Sequence, residues 1–138
     1  MAIWQVSFSI LNNSKSNCWN EKFWHSLENI SKEFPEKESW CPSLKQYGDL
    51  ESTNFEIDLD DKDILLRIDL RNITREQLIA ICDFINTNNY LVQYENKIFA
   101  PNLDDFVAIL SNSKSKEFLT NPSLYLDNLG QTGDGSLC

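Results

Sequence analysis

Four carboxylates fall within six residues at Asp58-x-Asp60-Asp61-x-Asp63, and such a density of oxygen donors is what a hard cation such as calcium needs. A calcium loop also requires a central glycine and a closing glutamate at set offsets, and this segment has neither. Strand alternation accounts for the spacing instead, so no metal is expected. General-base chemistry falls to His25, the only histidine, or to a carboxylate with a displaced pKa. On a helix His25 stands beside Trp24 and opposite the Phe23–Leu27 stripe, Ser26 does not face it, and no G-x-S-x-G elbow exists. A histidine on a helix rim fits better than a catalytic one. Paired carboxylates could be proposed almost anywhere in so acidic a chain, which makes them uninformative about hydrolysis.

Cysteine and glycine exclude more. Cys18, Cys41, Cys82 and Cys138 form no C-x-x-C pair, and no second histidine completes a zinc set. Reduced thiols are expected, with Cys82 as a small core residue and Cys138 exposed at the end of the chain. Three of the four glycines, Gly130, Gly133 and Gly135, stand in the last nine residues, leaving Gly48 alone in the body. A phosphate-cradling loop needs several glycines at close spacing, so neither a dinucleotide turn nor a P-loop can form. No cofactor is expected.

The remaining signal is charge. Residues 48–70 hold eight acidic and two basic residues in a chain of net charge −9. Such a ridge suits a basic protein partner and repels nucleic acid and anionic membrane. RNA-binding sheets place aromatic residues outward in a basic field, whereas the outward positions here are Gln5, Ser7, Arg67 and Asp69. The plainer reading is that outward acids keep a sheet soluble and discourage edge pairing. The candidate partner-binding residues are Glu56, Asp58, Asp60, Asp61 and Asp63, with Trp40 and Tyr47 as aromatic anchors beside them. Both rings could equally cover the end of the core.

The elements that carry these residues follow from periodicity. Trp4, Val6, Phe8 and Ile10 alternate with Gln5, Ser7 and Ser9, predicting a half-buried strand over 3–11. Trp19, Phe23, Leu27, Ile30 and Phe34 recur at helical spacing, with Asn17 as N-cap and Pro35 as terminator. Residues 39–48 read as irregular. Phe55, Ile57 and Leu59, then Ile64, Leu66, Ile68 and Leu70, predict a hairpin that turns at Asp60–Asp63. Thr74-Arg-Glu-Gln77 is a capping box opening a helix with Leu78, Ile81, Cys82 and Ile85 inward, and NTNN ends it. Residues 90–101 read as strand with a bend at Glu95-Asn96, and Asn102 caps a further helix with Phe106, Ile109 and Leu110 inward. Helical pieces broken at Pro122 are expected over 116–129, and a disordered tail over 130–138.

This order predicts an α+β fold: a ferredoxin-like, split βαβ sheet with two helices on one face and a C-terminal helical extension, in a single domain over 1–129. The open face would show Gln5, Ser7, Ser9, Glu56, Asp58, Arg67, Asp69 and Arg71. At 138 residues and 41% hydrophobic content the chain can bury a real core. No apolar run approaches a membrane span, and the first ten residues lack a basic leader and a cleavage site, so a cytoplasmic protein is expected.

From Tyr47 onward the chain resembles small immunity proteins of bacterial contact-dependent and polymorphic toxin systems. Tyr47-Gly48-Asp49-Leu50-Glu51, Ile68-Asp69-Leu70-Arg71 and Tyr94-Glu95-Asn96-Lys97-Ile98-Phe99 carry the resemblance, with Ser115, Phe118 and Asn121-Pro122. It implies a cytosolic, non-enzymatic inhibitor that neutralises a cognate toxin domain, often a nuclease. Such proteins share no active-site motif, so it assigns no residue a role. A small-ligand-binding or regulatory α+β domain is the alternative reading, and an enzyme using His25 with a carboxylate is a third.

Overall fold

The computed structural model describes residues 3–12 and 19–113. The expected cap at Asn17, Cys18, the pieces over 116–129 and the tail with Cys138 lie outside them. Strand β1 (Gln5–Leu11) leads to helix α1 (Glu21–Ile30), then to β2 (Glu36–Lys37), β3 (Leu44–Gly48), β4 (Asn54–Asp58) and β5 (Asp63–Asp69). Helix α2 (Arg75–Thr87), strands β6 (Leu91–Tyr94) and β7 (Lys97–Phe99), and helix α3 (Leu103–Ser111) follow. The strands form one antiparallel sheet in the order β2-β3-β4-β5-β1-β6-β7.

The fold is therefore α+β, as expected, with a sheet larger than the expected four strands. The additions are the short β2, the strand β3 inside a segment read as irregular, and β7 beyond the bend at Glu95. In β3 only Tyr47 offers an apolar side chain to the core face, so Leu44-Lys-Gln-Tyr-Gly48 shows no alternation to read.

Register places Val6, Phe8, Ile10, Phe55, Ile57, Ile64, Leu66, Ile68 and Val92 on one face of the sheet. All three helices cover that face. Phe8 meets Phe106 of α3 edge-on at 5.1 Å, and Phe84 of α2 meets Phe55 at 5.5 Å and Phe23 of α1 at 6.1 Å. Such tilted and edge-on pairs add about 0.5–1.5 kcal/mol each beyond the area they bury.

The helix starts are set by capping side chains. Asn20 accepts from the Phe23 N–H at 2.9 Å, so α1 begins at Glu21 rather than after Asn17. Trp19 then stands outside the helix, 4.6 Å from the Phe23 ring, with its indole N–H on the Leu59 carbonyl at 3.0 Å. Thr74 and Gln77 form the expected capping box, and Asn102 caps α3 through the Asp105 N–H at 2.8 Å. Helix α1 stops at Ile30, four residues before the expected end, although Phe34 still reaches the core.

Gly48 has little freedom to change. Its φ of +82° is left-handed, and a Cβ there would come 2.4 Å from the Thr53 carbonyl oxygen. Replacing Gly48→Ala is expected to cost about 2–3 kcal/mol by denaturant titration. Unchanged stability would show that the 49–53 loop can move aside.

Candidate functional site

Among the described residues the open face divides into an end covered by a loop and a bare end. Over the covered end lies the loop 49–53, which exposes backbone carbonyls to the sheet and needs donors beneath it. Gln5 Nε2 supplies them to the Leu50 and Ser52 carbonyls at 2.9 and 2.6 Å, and Asn54 Nδ2 reaches the same two at 3.3 and 3.0 Å. Thr53 Oγ1 accepts from the Asp69 N–H at 2.9 Å. The Trp4 indole N–H and Arg71 Nη2 both reach the Glu51 carbonyl, at 2.7 and 3.2 Å.

Two expected surface residues thus belong to the interior. Gln5 is buried, and the Asp69 side chain is wholly so. Arg71 satisfies that carboxylate through its backbone N–H at 2.8 Å and through Nε and Nη2, the latter at 2.9 Å. Its guanidinium stacks on Trp4, 3.9 Å from the ring centre. Burial pushes the Asp69 carboxyl up, but the side-chain and backbone hydrogen bonds from Arg71 outweigh it and hold the group below the usual range.

At the bare end stands the acidic turn. Asp58 pairs with Asp63 across the hairpin, and the Asp58 Oδ1 accepts from the N–H groups of Asp60 and Asp61 at 3.1 Å each. Lys62 completes the turn in a left-handed conformation, φ 61°. The base of the turn is tied from two sides, by the Leu59 N–H to the Ser43 carbonyl at 2.8 Å and by the Trp19 bond to Leu59. The Asp58 carboxylate is therefore held by the backbone, and the turn that carries the other three acids is fixed with it. Asp60, Asp61 and Asp63 are exposed, and among the described residues no ion pair reaches them. The charge of Asp58, followed by desolvation and by Asp63, raises the Asp61 carboxyl above its ordinary value.

The other expected contact residues separate. Glu56 is committed to Arg67, Oε1 to Nη1 at 2.7 Å, and Arg67 also holds Asn54 Oδ1 at 3.0 Å. Tyr47 is a core residue at 4% exposure, and its pKa is pushed up to about 12 by burial and then by Glu36. It cannot act as a surface anchor, and this corrects the reading of that ring as one. Trp40 is 84% exposed in the connection entering β3, whose Leu44 pairs with Asp58, so it shares the end of the sheet that carries the turn.

His25 lies 3.9 Å from Glu28, its side chain 83% exposed, at the rim of a groove of about 610 Å³ between α1 and α2. Lys22, Ser26, Asn29, Ala80, Asp83 and Phe84 also line this groove. Cys82 is buried, and desolvation, then Asp83 and Asp105, push its thiol up to about 11, which keeps it protonated and unreactive. Among the described residues no three His, Cys, Asp or Glu side chains are grouped to hold a metal ion, and no helix is long and apolar enough to cross a membrane.

No family model matches the sequence, and no curated protein or solved structure matches it either.

Two titrations check this electrostatic layout. The depressed carboxyl of Asp69 lends stability that is complete above the ordinary value of about 3.9 and is lost as pH falls through its lower folded-state pKa. Asp69→Asn is therefore expected to cost about 2–3 kcal/mol at neutral pH, with the gap to wild type closing in acid. A gap independent of pH would remove the ion pair from the explanation. The raised carboxyl of Asp61 has the opposite sign, since its charge works against the fold until acid removes it. Asp61→Asn should raise the Tm at neutral pH and low salt, and the gain should vanish in about 1 M salt, where charges are screened beyond about 3 Å.

Proposed function

We propose that the chain acts by stoichiometric protein binding, as an immunity-type inhibitor in the cytoplasm that neutralises a basic toxin domain, nuclease domains being the natural class. One observation carries this reading: Asp60, Asp61 and Asp63 project from a turn whose backbone is fixed by Asp58, and no cation is paired with them among the described residues. Preorganised charge of this kind accelerates encounter with a cationic surface and suppresses wrong partners. An inhibitor of a nuclease needs little else, because the surface that holds phosphate is itself basic and is blocked when acids occupy it. Trp40 would supply an aromatic anchor at the edge of the contact. In the same reading β1, α1, β4, β5, α2 and β6 form a split βαβ unit, with β2, β3, β7 and α3 as additions around it.

A second reading, a small-ligand-binding or regulatory domain, is favoured by the groove between α1 and α2 with its mixed lining of Lys22, His25, Asn29 and Phe84. A ligand seated there would raise the Tm in proportion to its occupancy, and the acidic turn would be indifferent to it.

Co-expression with a toxin domain encoded beside this chain is the decisive trial of the first reading. Wild type should restore growth and form a one-to-one complex. Reversal at three exposed sites, Asp60→Lys, Asp61→Lys and Asp63→Lys, should slow association at least tenfold at low salt and flatten its salt dependence, with the fold retained by circular dichroism. Rescue with an unchanged association rate would remove the turn from the interface, and failure of wild type to rescue would remove the toxin.

A further inference from the structure

The bare end of the open face also carries aliphatic side chains in an order that charge reading alone misses. Register aligns Glu56, Leu65, Ser9, Gln93 and Ile98 in one row across β4, β5, β1, β6 and β7. In the next row Leu44 pairs with Asp58, Asp58 with Asp63, and Leu11 with Leu91, while the Ile10–Ile64 pair sets Leu11 beside Asp63. Leu65, Leu11, Leu91 and Ile98 therefore follow one another as diagonal or direct cross-strand neighbours from the sheet centre to the β7 edge, with Ser9 and Gln93 beside them and Asp58 and Asp63 along one flank. Leu11, Leu65 and Leu91 are half-buried and Ile98 is 58% exposed. Among the described residues no helix lies on this face, and the 49–53 loop is bonded to the opposite end of it.

Resting on the reading of the chain as a binder of basic proteins, we propose that this strip is the apolar centre of the docking surface, and that it takes an amphipathic basic segment of the partner protein. Charge complementarity selects that occupant. A second copy carries the same net charge of −9 and would be repelled as a whole, and an anionic membrane would meet the same repulsion. Interfaces commonly join an apolar centre to a charged rim, and here the rim is negative on the β4–β5 side. Spacing narrows the partner further. Asp63 and Leu91 stand two strand spacings apart, about 10 Å. On a helix that separation is bridged by positions i and i+7, about 10.5 Å apart, so the partner would carry Leu or an aromatic residue with Lys or Arg two turns away.

Three synthetic probes test this by methyl and amide NMR of the full chain: an 18-residue Leu/Lys peptide with leucines on one helical face, a scrambled isomer, and an all-lysine peptide. The amphipathic peptide should shift the methyls of Leu65, Leu91 and Ile98 together with the amides over 58–63. The all-lysine peptide should shift the amides alone, and the scrambled one should bind at least tenfold more weakly than the amphipathic one. Ile98→Lys, at an exposed site, should weaken the amphipathic peptide about tenfold and leave the all-lysine peptide unchanged. Silent methyls with responsive turn amides would overturn the strip and leave acidic docking standing. Silent turn amides with every probe would overturn both, and methyl shifts that depend on protein concentration without peptide would assign the face to self-association instead.

Discussion

A carboxylate with no solvent around it organises one end of this molecule. Asp69 sits beneath the loop 49–53, and Arg71, two residues on, is the cation that makes its burial tolerable. The same guanidinium stacks on Trp4 and reaches the Glu51 carbonyl, so a single side chain joins the start of β1, the end of β5 and the loop between β3 and β4. Gln5 and Asn54 complete the arrangement by donating to the loop carbonyls. Left without them, those carbonyls would be buried and unpaired, at about 1–3 kcal/mol each. The left-handed Gly48 is a consequence: the chain must leave β3 sharply enough for the loop to turn back over the sheet.

From that end the rest of the open face acquires its character. Polar groups there are consumed internally, with Arg67 held between Asn54 and Glu56. At the opposite end the hairpin carries acids whose mutual repulsion raises the Asp61 carboxyl. Stability alone would favour fewer negative charges at this turn. A fold that neutralises Asp69 and Glu56 yet leaves Asp60, Asp61 and Asp63 unpaired among its described residues distributes its ion pairs unevenly. Partner attraction is the physical account we favour for that difference, and the aliphatic strip beside it gives the attraction somewhere to end.

Much of this architecture is legible in the residues. Alternation marks β1, β4 and β5, Thr74 and Asn102 announce their helices, and the bend at Glu95 appears as a left-handed residue. Three things are not legible, each for a definite reason. Gln5 and Asp69 alternate with apolar neighbours and so read as solvent-facing, because nothing local signals that a distant loop will fold over them. Tyr47 lies in a strand without alternation, which hides its inward direction. Asn17 and Asn20 are equally good caps by type, and the choice falls to Asn20 through its bond to Phe23. The acidic turn is readable as charge, but Glu56 drops out of it only through its pairing with Arg67 across the sheet. Leu65 carries no signal of its own beside Arg67, because an aliphatic residue on a polar face has meaning only once register aligns it with Leu11, Leu91 and Ile98.

We propose that a basic protein docks at the acidic end of the open face. Backbone hydrogen exchange of the chain, alone and mixed with the toxin domain proposed as its partner, tests this most directly. Slowed exchange confined to the β4–β5 turn over 58–63 and the neighbouring strands β6 and β7 is the expected footprint. Protection concentrated on α1 and α2 around His25, with the turn exchanging as in the free chain, would contradict it.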